Sequence, residues 1–156
     1  MIKSKFTTRR IIGLVILIWM GLIFWFSSRT GVQSGQSSMP ITTVLTNLIQ
    51  QGEKIDYSIF WQIEFYMRKS AHFILYGVLG FLCAVYFNHF RVSNKIKFLA
   101  ATVLTSLYGM TDEIHQLFVP GRAGKLYDVL VDTLGGILGA AVVVIFIYLK
   151  SKKPNR

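Results

Sequence analysis

Two short blocks carry side chains able to do chemistry: KSAHFILYG, starting at Lys69, and TDEIHQLFVPGR, Thr111 to Arg122. In the first, Lys69, His72 and Tyr76 stand at i, i+3 and i+7, one face of a helix. In the second, a continuing helix puts Asp112 on a face with His115 and Gln116, and turns Glu113 elsewhere. A turn at Pro120-Gly121 follows, with Arg122 and Lys125 in its loop, then Asp128 and Asp132 at i and i+4. An imidazole oriented by a carboxylate can move protons, so His72, Asp112, Glu113 and His115 are the catalytic candidates. Lys69, Arg122 and Lys125 can hold an anionic phosphate, and Tyr76, Gln116, Asp128 and Asp132 complete the binding candidates. Acids and histidines also suit a divalent cation. However, there is no HExxH, EIH in DEIHQ lacks a zincin spacing, and the single cysteine, Cys83, forms no CxxC, so no metal ligand is assigned and no cofactor named. GRAGK lacks the four-residue gap and the Ser/Thr of a phosphate-binding loop. The structural alternative is that these polar groups only lock helices together.

What positions them is a set of apolar runs. The chain has 156 residues, enough for one domain, and 53% of them are hydrophobic. Its mean hydropathy is +0.49. A soluble domain of this size has too little interior for so much apolar side chain, which points to an all-α polytopic membrane bundle. Four spans can be drawn, at about 11–26, 70–87, 96–111 and 129–149. A crossing helix needs about 20 residues, so the first and third borrow flanking residues. The first has the basic start of a signal peptide, but SSRTGVQ follows it without a small-x-small cleavage site, so an uncleaved anchor is expected.

Basic residues give the orientation. Lys3, Lys5, Arg9, Arg10, Arg91, Lys95, Lys97, Lys150, Lys152, Lys153 and Arg156 fall on one side with no acid among them. The other side holds six bases, including Lys54, and all seven acids, including Glu53. The basic side is expected to be cytoplasmic, with both termini, in a bacterial plasma membrane. TDEIHQLFVPGR then faces out. Nucleic-acid binding is a poor reading of these bases, because they flank spans as topology requires.

The long segment between the first two spans is also outside in this drawing. SSRTGVQSGQSS reads as a loop. From Pro40, suited to a first helical turn, Ile41, Val44, Leu45, Leu48 and Ile49 form one apolar stripe. Either a helix lying flat at the outer surface or one packed on the spans is expected. DYSIFWQIEFYM brings interfacial aromatics and has no breaker before the second span, so it can lead straight into that helix. One or two interfacial helices over about 40–66 are therefore expected. Arg68 reads as an interface anchor. In the last span, Gly135/Gly139 and Gly136/Ala140 are small-xxx-small pairs that let helix backbones approach.

In order and combination, KSAHFILYG and TDEIHQLFVPGRAGKLYDVLVDTLGGILG resemble the VanZ family of small bacterial membrane proteins, over roughly Lys69 to Gly139. The family pattern falls on Lys69, His72 and Tyr76, then Asp112, Glu113 and Gln116, then Arg122, Asp128, Asp132 and the glycines beyond. The position of Asp132 is commonly Asn in that family, which implies that a negative charge there is not essential. The founding member is associated with low-level resistance to teicoplanin, a glycopeptide that attacks cell-wall precursors outside the membrane. The resemblance thus implies an outward polar site linked to glycopeptide resistance through an envelope lipid or wall precursor. Membrane lipid, a lipid-linked wall precursor or the glycopeptide are the partners it suggests. The other class is a membrane-embedded hydrolase or transferase acting on a lipid-linked or phosphorylated envelope substrate.

Overall fold

Five helices make up the chain: α1 (Ile2–Ser27), α2 (Gly31–Ile49), α3 (Tyr57–Phe87), α4 (Asn94–Gln116) and α5 (Leu126–Ser151). The computed structural model describes residues 2–51 and 56–152, with side chains from Thr7 onward. Glu53, Lys54, Lys153 and Arg156, and the side chains of Lys3 and Lys5, lie outside the described residues. Among the described residues, three helical segments are long and apolar enough to cross a bilayer: Thr7–Ser27, Tyr57–Phe87 and Leu126–Ser151. The protein is a multi-pass membrane protein.

α4 falls short of that mark because it is two-faced. Ile96, Leu99, Val103, Leu107, Met110 and Ile114 form an outward stripe at helical spacing. Its buried face instead carries Ala101, Thr105, Gly109, Asp112, Glu113 and Gln116. α5 likewise turns Leu130, Leu134, Leu138 and Val142 outward. Apolar outside, small or polar inside, is the pattern of helices solvated by lipid.

The centre of the bundle is the α3–α5 contact, where the two helices run parallel. Gly77 and Gly80 of α3 meet Gly135, Gly136 and Gly139 of α5. A Cβ at Gly139 would overlap the Gly77 carbonyl oxygen, and one at Gly80 would overlap that of Gly136. The expected small-residue pairs of α5 thus have a mating pair on α3. α4 closes against the same seam, with Thr105 packed at Gly136. Trp19 donates to the Leu75 carbonyl at 2.9 Å and Tyr108 to the Met20 carbonyl at 2.6 Å, tying α1 to α3 and α4.

The segment before α3 differs from the sequence expectation. SSRTGVQSGQSS is mostly helix, not loop: Thr30 and Gln33 form a reciprocal capping box that starts α2 at Gly31. Pro40 therefore lies inside α2, not in its first turn. It removes one helix donor without ending the helix. The Ile41, Val44, Leu48 and Ile49 stripe is helical but faces away from the bundle. The opposite face packs on α3 through the buried hydroxyls of Thr42 and Thr46. The aromatic run leads straight into the second span, as its lack of a breaker allows, and is not a separate interfacial helix. It forms the first turns of α3, which Asp56 caps by accepting from the Ser58 N–H at 2.8 Å.

Candidate functional site

The polar side chains gather at one end of the bundle, where α1 and α4 finish and α3 and α5 approach each other. On α3, Lys69, His72 and Tyr76 share a face, as their spacing predicts. Lys69 pairs with Asp128 in the first turn of α5. One turn deeper, His72 Nδ1 lies 3.2 Å from Asp132 Oδ1. Tyr76, fully buried, stacks its ring parallel to that of His72 with centroids 6.3 Å apart.

α4 contributes more than its periodicity suggested. Asp112, Glu113 and Gln116 are all buried at the cluster. Gln116 Nε2 bridges the two acids, 3.2 Å from Asp112 Oδ2 and 3.3 Å from Glu113 Oε1. Glu113 thus does not point away. The reason is that Gln116 is i+4 from Asp112 and i+3 from Glu113, so one amide reaches both. Glu113 Oε2 also accepts the Lys125 N–H at 2.8 Å. Lys125 is the N-cap residue of α5 and its side chain makes no cap bond, so the Glu113 carboxylate serves the positive end of that helix. His115 is the residue that turns aside. Its Nε2 lies 3.1 Å from Ser28 Oγ, and its ring packs on Phe24 at 4.5 Å. It stands at the α1 corner, outside the cluster.

Arg122 does not reach a carboxylate, contrary to the expectation that it would fold over the rim onto Asp112, Glu113 or Asp128. Its Nε donates to the Arg29 carbonyl at 3.0 Å and a terminal N–H to the Phe26 carbonyl at 3.3 Å. Phe26 lies in the last turn of α1, where helix acceptors lack partners of their own, and Arg29 lies in the link to α2. The Gly31 N–H donates to the Pro120 carbonyl at 3.0 Å, so the loop is pinned to the α1–α2 corner. Gly121 sits at φ +73, which suits glycine there. Burial, then the charge of Arg68, pull the Arg122 pKa below its ordinary value, while Asp112 and Glu113 act the other way. Its guanidinium remains charged, with affinity left for an anion.

Two clefts open on this end. A polar one of about 350 Å³ is lined by Arg68, Lys69, His72, Arg122, Lys125 and Asp128, with Trp61 and Phe65 beside them. A more apolar one of about 370 Å³ runs past Ile23, Phe26, Ile74 and Leu75 down to Tyr76 and Asp112. Arg68, His72 and Arg122 line both. Arg68 is therefore part of the rim rather than only an anchor. Glu64, 3.4 Å from Arg68, was missed as a site residue. It is buried and accepts from Ser38 Oγ at 2.6 Å and Thr42 Oγ1 at 2.7 Å, fastening α2 to α3. The i, i+4 spacing of Glu64 and Arg68 was the readable signal.

All the sequence candidates except His115 therefore belong to this rim or the buried cluster beneath it. Among the described residues, Arg122 and Lys125 form no ion pair, whereas Arg68, Lys69 and His72 each meet an acid. No curated protein and no solved structure matches the chain. The VanZ/LLP1 family model matches residues 12–147, a stretch that holds every one of the clustered side chains. With most of its length matched and this polar end enclosed within the match, the chain belongs to the VanZ/LLP1 family.

Proposed function

We propose that this is a four-span protein of the bacterial plasma membrane with both termini cytoplasmic. Its outward polar end binds the phosphorylated headgroup of an envelope lipid or lipid-linked wall precursor. Through that lipid it bears on glycopeptide resistance, teicoplanin included. α4 is the fourth span in this reading. Its 23 residues extend about 34 Å at 1.5 Å per residue, against a hydrocarbon core of about 30 Å. Because α3 and α5 run parallel, the chain has to return along α4. Its lipid-side stripe and its polar face, covered by α3 and α5, fit a crossing. Orientation is supported by the basic residues at the opposite end.

A thiol probe tests the topology. Phe118, at 80% exposure on the outer loop, is replaced by cysteine, as is exposed Lys95 at the other end. The native Cys83 is buried, so background is low. Position 118 should label in intact cells and position 95 only after permeabilisation. The reverse pattern overturns the orientation.

The observation that carries the lipid reading is the meeting of the two clefts at Arg68, His72 and Arg122. A basic cleft joined to an apolar one suits an amphiphile with an anionic head and a hydrocarbon tail. Native mass spectrometry of the detergent-purified protein should retain a polyprenyl phosphate or phosphatidylglycerol over phosphatidylcholine. Arg68→Gln with Lys125→Gln should lower that preference by at least about tenfold, since even one charge-assisted hydrogen bond is worth about 1.5–3 kcal/mol. Equal retention of charged and zwitterionic lipid would sink the reading.

One observation favours turnover as a second reading. His72, paired with Asp132 through Nδ1, stands where the clefts join. Its other ring nitrogen is then available to take or give a proton, as a hydrolase or transferase of a phosphorylated lipid would require. A changed lipid mass in the same spectra would mark it.

A further inference from the structure

We propose that His72, Asp112, Glu113 and Asp132 together bind one divalent first-row transition cation, of the Mn2+ or Zn2+ class. One ring nitrogen of His72 and one carboxylate oxygen from each acid lie within 4.8 Å of one another. Four ligands at about 2.0–2.2 Å round a tetrahedral ion lie about 3.3–3.6 Å from one another. The widest pair of the cluster, at up to 4.8 Å, therefore has to close by about 1.2–1.5 Å on binding. The ligands come from α3, α4 and α5, which explains why no local spacing such as HExxH announces them.

Charge points the same way. Asp112, Glu113 and Asp132 are 2%, 4% and 0% exposed, so three carboxylates share one buried space with a single imidazole. Three of the nearby bases are engaged elsewhere: Lys69 with Asp128, Arg68 with Glu64, and Arg122 with the Phe26 and Arg29 carbonyls, while the Lys125 side chain is exposed at the rim. Like charges held together out of water are costly without a counter-ion.

An independent observation lies in the unpaired atoms. Asp112 Oδ1 and Asp132 Oδ2 are buried and have no hydrogen-bond partner among the described residues. The Tyr76 hydroxyl, buried nearby and also unpaired, faces Asp112 without reaching hydrogen-bond geometry. A small shift would satisfy one acceptor but would bring no positive charge. Asp132 Oδ1 meets His72, while the other acids are oriented from outside. Gln116 donates to Asp112 and Glu113, and the Lys125 N–H donates to Glu113. Ligands held by outer donors, with an unpaired oxygen left on Asp112 and on Asp132, fit the arrangement of a metal centre. One nitrogen with several carboxylate oxygens favours Mn2+ or Zn2+ over the all-oxygen sites of Mg2+ or Ca2+. The inference does not rest on the lipid reading, because the ion is measured with no lipid varied.

The test uses the full chain in detergent, stripped with chelator and titrated with Mn2+. Electron paramagnetic resonance counts the free ion. One saturable ion per chain is expected, displaced by Zn2+. Asp112→Asn or Glu113→Gln should weaken it at least about tenfold, the lower range for disturbing even an outer partner of a metal. Asp56→Asn, at the exposed N-cap of α3, should bind as the parent does. Because a variant of a buried acid can misfold, a second measurement uses the parent. Spin-echo modulation of the bound Mn2+ should report one imidazole nitrogen. Absence of saturable binding up to about 1 mM, a standard free energy of only about −4 kcal/mol, means that protons rather than a metal neutralise the acids. That result overturns the proposal. So does bound Mn2+ without nitrogen coupling, or parental affinity in a folded Asp112→Asn.

Discussion

Leucine at position 139 should leave little folded protein in the membrane. A Cβ at Gly139 already overlaps the Gly77 carbonyl oxygen and would lie 2.8 Å from the Phe81 nitrogen. Both neighbours are helical backbone and cannot swing aside, so α5 has to move off α3. That separation removes the close packing on which helix association in lipid relies. It also draws Asp128 and Asp132 away from Lys69 and His72, leaving charges without partners. Overpacking alone costs about 1–3 kcal/mol, and a broken buried ion pair about 3–5 kcal/mol more. Together they are comparable to the whole stability of a domain this size, about 5–15 kcal/mol. Gly21→Leu is the matched control, because nothing lies within 4 Å of its added Cβ. Size-exclusion profiles of a fluorescent fusion should show a monodisperse peak for Gly21→Leu and aggregate or no protein for Gly139→Leu. Equal peaks would mean that the glycine seam is dispensable.

If the protein protects against teicoplanin as proposed, Glu113→Gln and His72→Gln should abolish that protection while the protein reaches the membrane at its normal level. Glutamine keeps an acceptor for the Lys125 N–H, so the start of α5 retains its cap. What it removes is the charge. If the cluster does proton transfer or ionic work, losing that charge costs about 10²–10⁴ in rate, and susceptibility should return to that of cells lacking the protein. A structural role predicts the opposite, because shape and hydrogen-bonding capacity are nearly unchanged. Minimal inhibitory concentration, normalised to membrane abundance, makes the comparison. Full protection by both variants would reduce the rim to scaffold.

The parts of this site legible in the sequence were those fixed within one helix. Lys69, His72 and Tyr76 share a face because 3.6 residues make a turn, wherever the helix packs. The continuation of α4 through TDEIHQ and the glycine pairs of α5 were readable for the same reason. The direction of Glu113 was not, since a helix face is inward only relative to neighbours, and α5 and the 117–125 loop cover that side. The Arg122 partners were hidden because they are backbone carbonyls, which leave no side-chain pattern. The early start of α2 was obscured by its glycines and serines, although Thr30 and Gln33 spell a capping box. Among the described residues three helices are long and apolar enough to cross, and α4 is not one of them because inward polar residues lower its average.

The parallel seam of α3 and α5 also sets an order of events during synthesis. Lys69 and His72 leave the ribosome some sixty residues before Asp128 and Asp132, the acids they meet. Asp112 and Glu113 likewise emerge before α5 exists to cover them. A nascent chain ending at the loop would present an imidazole, an ammonium and two carboxylates to lipid with no mate. If α4 crosses as proposed, its buried polar face is covered only by neighbouring helices. The last helix is therefore the one that makes the earlier ones tolerable in the bilayer, and a chain truncated before Leu126 should be recognised and degraded as an orphan rather than persist as a partial bundle.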